Sequence, residues 1–512
     1  MLLPVDMRDW IRKDDLVHYI VDAVERLPLK RMHVNHRGTG SEQFPPKMLL
    51  SLLIYCYARG VFSSREIERL TVHDLRIRYI CANSHPDHST IAGFRRENRE
   101  AFMETFVKVL EMAQECKMLK VGTVAVDGTK IAANASKHSA VSHKRAGEMI
   151  AVLQGEVQQL MEKAEQADST PLKEGLTIPK EIQLREDRIK KFDAAIQVIE
   201  ARAKARGQAE QVRLDAEYEA KRARRQARRE QGKAVQGREP QPKQASMAPK
   251  PKDQYNFTDA QSAMMPVAGG GFVQGYNAQV TVEVDSMLIV GQGVTTQPND
   301  RAQLVPGIES IPASLGQPAT VLVDSGYYSP AQIQQVEGGR EVQADIAPSG
   351  DIAPSGDIAP SGNDAGSENN QQMAGNETAD SAGGQVAGAD DAPPTGITVL
   401  VAVNKITHGC RVADLEVKPD PEPPAQDAPL LDKMRHRINT AEGRAKYNLR
   451  KQTVEPVIGI IKSCIGFRQF SMRGQGLAES EWALVSVAWN LKRLHVLTQQ
   501  AQVRLAAAQM QS

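Results

Sequence analysis

Large rings are scarce in this chain: 3 Trp, 10 Tyr and 10 Phe amount to 4% of 512 residues. So few aromatics over such a length exclude a molecule that is packed core throughout. The five cysteines (Cys56, Cys81, Cys116, Cys410, Cys464) are scattered and form no close CxxC pair. That pattern excludes a disulfide framework and points to a reducing compartment. Neither sign of charge prevails, with 63 basic against 62 acidic side chains. Only a local cluster can therefore announce a polyanionic partner. The longest apolar run, MLLSLLIYCYA at 48–58, falls short of the roughly 20 residues that span a bilayer. The opening MLLPVDMRDWIRKDD turns charged within a few residues, unlike a signal peptide. A soluble cytoplasmic protein without membrane contact is expected.

What is present changes character along the chain. Residues 1–115 read as helical. Pro45 and Pro46 open an apolar helix, Ser63 and Glu66 stand at capping-box spacing, and Ser89 is the expected N-cap of a helix over 86–113. Basic residues near the starts of these helices suit either a helix-turn-helix-like DNA-binding region or a plain bundle. Residues 138–250 have helical periodicity with few large apolar side chains, and EAKRARRQARREQGK (219–233) concentrates arginine. A long helical hairpin with a basic end follows. Such a run is either a solvated face or a phosphate contact through Arg222, Arg224, Arg225, Arg228 and Arg229. GFVQGYNAQVTVEVDSMLIVGQGVTT (271–296) alternates as a β-hairpin broken at Asp285-Ser286, and ATVLVDSGYYS (319–329) and GITVLVAVNK (396–405) read as further strands. Between them DIAPSG occurs three times within a stretch (343–396) too poor in apolar residues to fold, and the chain is helical again from about 428.

Two of the apolar strands deliver a bare carboxylate. VGTVAVDGTKIAANASK (121–137) carries Asp127 before Gly128, and ATVLVDSGYYS carries Asp324 before Gly326. Asp-Gly between apolar runs is a hairpin signal, so Asp127 by itself reads as a turn. Two such strands invite a shared site at neighbouring strand ends. A third acid, Glu455, sits in YNLRKQTVEPVIGIIKSCIGF (447–467) with Lys451 four residues before it and Lys462 seven after. At about 100° per residue these three share a helix face, whereas Arg450 is turned about 140° from Glu455. Pro456 complicates that helix: with Thr453 as N-cap it would fall in the first turn and Lys451 would precede the helix. The cluster is either an ion-pair group or a metal site. Carboxylate oxygens suit hard divalent cations, and two ions about 4 Å apart support in-line displacement at phosphorus.

Taken together, these blocks resemble a DDE transposase of a bacterial insertion sequence. VDGTKIAANASK is similar to the family's first-Asp block, GYNAQV to the strand after it, VDSGYYS to the second-Asp block and TVEPVIGIIK to the Glu block. WALVSVAWNLKRL resembles its C-terminal helix and PDHSTIAGFRREN an N-terminal region. The resemblance implies an α/β fold with an RNase H-like mixed sheet core, to which the residue patterns above add an N-terminal helical domain, a long helical insertion and a disordered low-complexity insertion. The corresponding segments are 1–115 (N-terminal helical domain, expected to bind DNA), 116–137 with 251–342 and 397–500 (catalytic core), 138–250 (basic insertion) and 343–396 (low-complexity insertion). It implies Asp127, Asp324 and Glu455 as catalytic residues and ligands of two Mg²⁺ or Mn²⁺ ions. Lys462, Lys451, Arg450, Arg224, Arg225 and Arg228 are implied or read as DNA contacts. Double-stranded DNA (element ends and target), a homodimer or higher oligomer on DNA, and a bacterial nucleoid location complete the expectation.

Other readings carry less. Cys81, His85 and His88 have zinc-like spacing but no fourth ligand nearby. Tyr327 and Tyr328 lack the Arg and His cluster a tyrosine recombinase needs. A catalytically inactive, transposase-derived DNA-binding protein is the rival of another class.

Overall fold

The computed structural model describes residues 6–32, 43–165, 177–230, 232, 238–267, 269–338, 396–403, 419–425 and 428–511. Apart from Gly396, the low-complexity stretch 343–396 lies outside these residues.

Among the described residues six α-helices precede the first strand: α1 (Leu16–Arg26), α2 (Pro46–Ala58), α3 (Ser64–His73), α4 (Leu75–Ile80), α5 (His88–Glu97) and α6 (Arg99–Glu115). Side-chain carboxylates start three of them. Asp15, Asp74 and Asp87 each accept a backbone N–H from the first turn they precede. Asp87, not Ser89, caps α5; Ser89 lies inside the helix and gives both its N–H and its hydroxyl to Asp87, the stronger anionic acceptor. The helix expected over 86–113 breaks at Asn98, whose amide turns back to the Phe94 carbonyl. No capping box forms at Ser63 either, because Glu66 is held by Arg69 and Ser63 makes no side-chain cap.

The chain then enters β1 (Thr123–Ala132) and β2 (Ala140–Ser142), and continues into a hairpin of α7 (His143–Glu165) and α8 (Ile178–Glu230). β2 pairs with β3 (Gln254–Asn256) and closes the neck of this hairpin. Only a small apolar group (Val141, Ala146, Ala195, with Phe192, Ile196 and Tyr255 against it) fills the neck. Beyond it, the extended stretch 238–253 runs back along α8. Arg225 donates to the Arg238 carbonyl, Arg229 pairs with Glu239, Gln211 brackets Lys243 and Ala245, and Arg206 pairs with Asp253. Gly207 lets this strap approach, since a Cβ there would lie 2.6 Å from the Ser246 carbonyl.

The remaining strands are β4 (Ala263–Pro266), β5 (Phe272–Glu283), β6 (Ile289–Thr295), β7 (Thr320–Val323) and β8 (Thr398–Val401). They are accompanied by the short helices α9 (Leu304–Glu309) and α10 (Pro330–Glu337). The main sheet runs β6-β5-β1-β7-β8, with β4 beside β6 on the outer edge of β5. β1 is antiparallel to β5 and parallel to β7, and β7 is parallel to β8. The five principal strands thus lie in the order third, second, first, fourth, fifth, which is the mixed sheet of an RNase H-like core.

The hairpin turn expected at Asp127-Gly128 is absent. β1 runs unbroken through both residues, pairing Asp127 with Val280 and Gly128 with Gln279. Twelve-residue β5 is long enough to pair both apolar halves of β1, so nothing is gained by folding one half onto the other. The hairpin forms instead between β5 and β6, across Asp285-Ser286.

Three helices follow: α11 (Leu430–Asn439), α12 (Ala441–Gly459) and α13 (Gln475–Gln511). α13 covers the β5–β6 side of the sheet. Trp482 donates to the Gln279 carbonyl, and Asn490 grips the N–H and the carbonyl of Ile289 with the two ends of its amide. One continuous apolar core joins α1–α6, the sheet and α13. A buried polar link crosses it: Arg95 donates to the Tyr57 hydroxyl, which donates to Glu481, and Glu481 also accepts the N–H groups of Ser471 and Met472. Among the described residues no helix is long and apolar enough to cross a membrane.

Candidate active site

The parallel ladder between β1 and β7 ends at Val126 opposite Val323. Asp127 and Asp324 are the next residues on the two strands, so register alone sets them side by side. Past this point β1 continues without β7; among the described residues its edge next pairs with backbone at Ala132, against the 468–470 segment, and between them the Lys130 carbonyl accepts the Lys462 ammonium. The result is a notch along the edge of β1 from Asp127 to Ile131. Asp324 leaves β7 by capping a short turn, Ser325–Tyr327, and accepts the Gly326 N–H.

Glu455 arrives on α12, which begins well before a helix capped by Thr453 would. Thr440, not Thr453, is its N-cap; the Thr453 hydroxyl bonds back to the Leu449 carbonyl. Pro456 lies inside the helix. It has no N–H to give to the Gln452 carbonyl, and Gln452 is exposed, so water can satisfy that group. After Gly459 the helix widens into a π turn, Ile460–Cys464, carrying Lys462, a distortion often found at functional sites. The Lys462 ammonium donates to the Thr129 hydroxyl at 3.0 Å and to the Lys130 carbonyl at 3.3 Å. Burial and the nearby Arg468 lower its pKa.

Arg450, not Lys451, turns into this site. Its guanidinium lies 2.9 Å from Asp127 Oδ2 through Nη2 and 2.9 Å from Glu455 Oε1 through Nη1, with only 8% of the side chain exposed. Lys451 is exposed. A helical wheel compares Cβ directions, whereas the long Arg450 side chain spans the angle that separates it from Glu455. The Arg450 Nε is buried and has no hydrogen-bond partner among the described residues. Burial raises the Asp127 carboxyl to about 6, against the pull of Arg450 and of the Gly128 N–H, and the charges of Asp324 and Asp300 add to the rise.

Asp300 and Lys130 were not singled out by sequence reasoning. Asp300 lies in QPND, a turn composition with no apolar strand leading into it. Its Oδ1 accepts the amides of Asn277 at 2.6 Å and Gln279 at 2.7 Å, and lies 3.6 Å from the Lys130 ammonium. Gln279 in turn accepts the hydroxyl of Tyr327, which is wholly buried. Burial lowers the Lys130 pKa, opposed by Asp300, Asp127 and Asp324.

The donor set at the notch is carboxylate oxygen alone, the chemistry that hard divalent cations prefer. Among the described residues, no three His, Cys, Asp or Glu side chains stand close enough to hold an ion as they are. Arg450 supplies the positive charge between Asp127 and Glu455 instead. The other sequence-derived residues lie elsewhere. Arg225 and Arg229 hold the strap on α8, Arg222 lies 3.8 Å from Glu219, Arg228 is exposed, and the Arg224 side chain lies outside the described residues. His85 bonds Thr71, His88 bonds Glu68, and Cys81 is buried with its thiol pushed up to about 12.

Comparison with known proteins fits this arrangement. Two models of a "Transposase DDE domain" match residues 245–380 and 423–495, and a "Transposase domain (DUF772)" matches residues 5–97. The matches include Asp324 and Glu455 and leave out 98–244, so Asp127 is placed by the sheet register alone. No curated protein and no solved structure matches the chain.

Proposed function

Because the chain belongs to the DDE transposases of insertion sequences, we propose that Asp127, Asp324 and Glu455 are its catalytic acids, cleaving DNA at element ends and joining it to target DNA. The observation that carries this reading is the register match of Asp127 and Asp324 on adjacent parallel strands, with Glu455 tied to Asp127 through one guanidinium.

The three carboxylates would hold Mg²⁺ or Mn²⁺, two ions in this reading, once Arg450 gives way. Bound there, the metal supplies Lewis-acid activation of the phosphodiester. The remaining work falls to the chain itself. β1 and β7 fix two acids on one rigid sheet. α12 brings the third and, with it, Arg450, whose freed guanidinium faces the phosphate. Lys462, anchored on Thr129 and the Lys130 carbonyl, presents a second cation to the backbone. Lys451 on the outside of α12 and Arg225 and Arg228 on α8, with Arg224 beside them in sequence, extend the contact to flanking duplex through phosphate charge. Bringing two element ends together calls for a homodimer or higher oligomer on DNA.

The test uses linear DNA carrying the gene with its own flanking sequence and Mg²⁺. Asp127→Asn, Asp324→Asn and Glu455→Gln should each abolish strand cleavage while gel-shift binding persists, since each change removes an anionic ligand and little bulk. Full cleavage by any of the three would end the assignment of that residue.

A further inference from the structure

β1 presents two different faces at the notch. Asp127 and Thr129 point toward α12, where Arg450 and Lys462 meet them. Gly128 and Lys130 alternate to the opposite face, which they share with their cross-strand partners Gln279 and Asn277. Asp300 lies over that second face. The approach depends on Gly128, because a Cβ there would stand 2.3 Å from Gln279 Nε2 and 2.5 Å from Asp300 Oδ1.

The hydrogen bonding sorts these groups into fixed and available ones. Asp300 is fixed by two amides whose own side chains are buried. Lys130 is not: at 3.6 Å its ammonium is within Coulombic reach of Asp300 but too far for a hydrogen bond. Its side chain is 16% exposed and that of Asp300 23%, so the pair borders solvent rather than being sealed in the core. A cation that is aimed by a carboxylate, and held to it among the described residues by no contact shorter than 3.6 Å, suits an incoming anion. The edge of β1 beside it is the stretch that β7 has left unpaired.

We propose that Lys130 contacts the DNA phosphate at this notch from the face opposite Lys462 and Arg450, and that Asp300 is the positioning residue that aims it. The strand would then be gripped from both faces of β1. The inference rests on the assignment of the acidic site above and adds two residues to it.

Single-turnover cleavage of the same flank-bearing DNA in Mg²⁺, at saturating protein, tests it. Lys130→Met keeps the aliphatic stem and should slow cleavage by on the order of 10²-fold, the usual loss for one transition-state donor, with DNA affinity nearly unchanged. Lys130→Arg should recover part of the rate. Asp300→Asn should also be slow, and the double variant Lys130→Met/Asp300→Asn should be no slower than Lys130→Met alone. Full-rate cleavage by Lys130→Met would overturn the proposal. So would a double variant slower by the product of the two single effects, since Asp300 would then act other than through Lys130. If Asp300→Asn fails to fold, the Lys130 variants decide. Asp127→Asn run in parallel separates the two readings. Cleavage by that variant would remove the acidic site itself; its inactivity beside an unimpaired Lys130→Met would remove only Lys130 and Asp300.

Discussion

Arg450 reaches Asp127 across the gap between α12 and β1, its Nη2 2.9 Å from Oδ2. The pair is mostly buried, so removing one partner strands the other in a poorly solvated place. Arg450→Met should therefore lower stability in metal-free buffer by on the order of 2 kcal/mol at pH 8, less than a fully buried pair would lose, because Asp127 can take up a proton. The penalty should fade as pH falls through about 6, where the Asp127 carboxyl is protonated with or without the arginine. Denaturant melts in EDTA across this range would check it. A penalty independent of pH would assign Arg450 a packing role only.

Asp127 itself should leave a signature in the pH dependence of the metal-free protein. Its folded pKa, about 6, is raised above the 3.8 usual for an aspartate, so the folded state holds this proton more tightly than the unfolded chain. Stability from this group is greatest at low pH and is lost as pH rises from about 4 to about 6. That rise corresponds to about 3 kcal/mol as an upper figure. Wild type compared with Asp127→Asn should lose ground across that window and then run parallel above it. Parallel curves throughout would place the carboxylate in ordinary solvent.

Two glycines on the β1–β5 ladder should respond differently to alanine. A Cβ at Gly275 would stand 2.4 Å from the Ile131 carbonyl, a backbone atom that cannot yield without opening the ladder. At Gly128 the obstacles are the side-chain ends of Gln279, Asp300 and Asn277. Gly275→Ala should thus be the more destabilising, by about 2 kcal/mol or more. Gly128→Ala should keep most of its stability and lose cleavage. Thermal melts and the cleavage assay together distinguish the two.

The arginines of α8 divide by what they already hold. Replacing Arg222, Arg224, Arg225, Arg228 and Arg229 with Gln should weaken DNA binding across sequences and flatten its dependence on salt, because fewer counterions are released. Changing Arg225 and Arg229 alone should also free the 238–240 stretch from α8, since those two hold it. Protease cutting near Glu239 would report that release. An unchanged salt slope in the fivefold variant would reduce the cluster to a solvated face.

Much of the architecture was legible in the chain because the relevant forces are local. Alternation marked β5 and β6, Asp285-Ser286 marked their turn, and Pro46 marked the start of α2. The charge and helical periodicity of 178–230 marked a long, largely solvated helix. The apolar runs leading into Asp127 and Asp324, and Glu455 among basic residues, could be picked out for the same reason: each is a carboxylate where its neighbours make one unexpected.

Other features were settled only when distant segments met. Asp-Gly at 127–128 has the local chemistry of a turn, but pairing along β5 outweighs it, and β1 runs straight. Pro456 reads as a helix start, yet α12 begins 15 residues earlier, at Ala441, because its packing sustains it through the missing N–H. Arg450 or Lys451 was a question of angle until the reach of a long side chain to Asp127 answered it. Asp300 had no sequence mark at all, since only the folded loop lays this turn aspartate on Gly128, Asn277 and Gln279. Periodicity and capping depend on neighbours in the chain, which a sequence displays. Register, and the charges it brings together, depend on neighbours in space, which the folded sheet alone supplies.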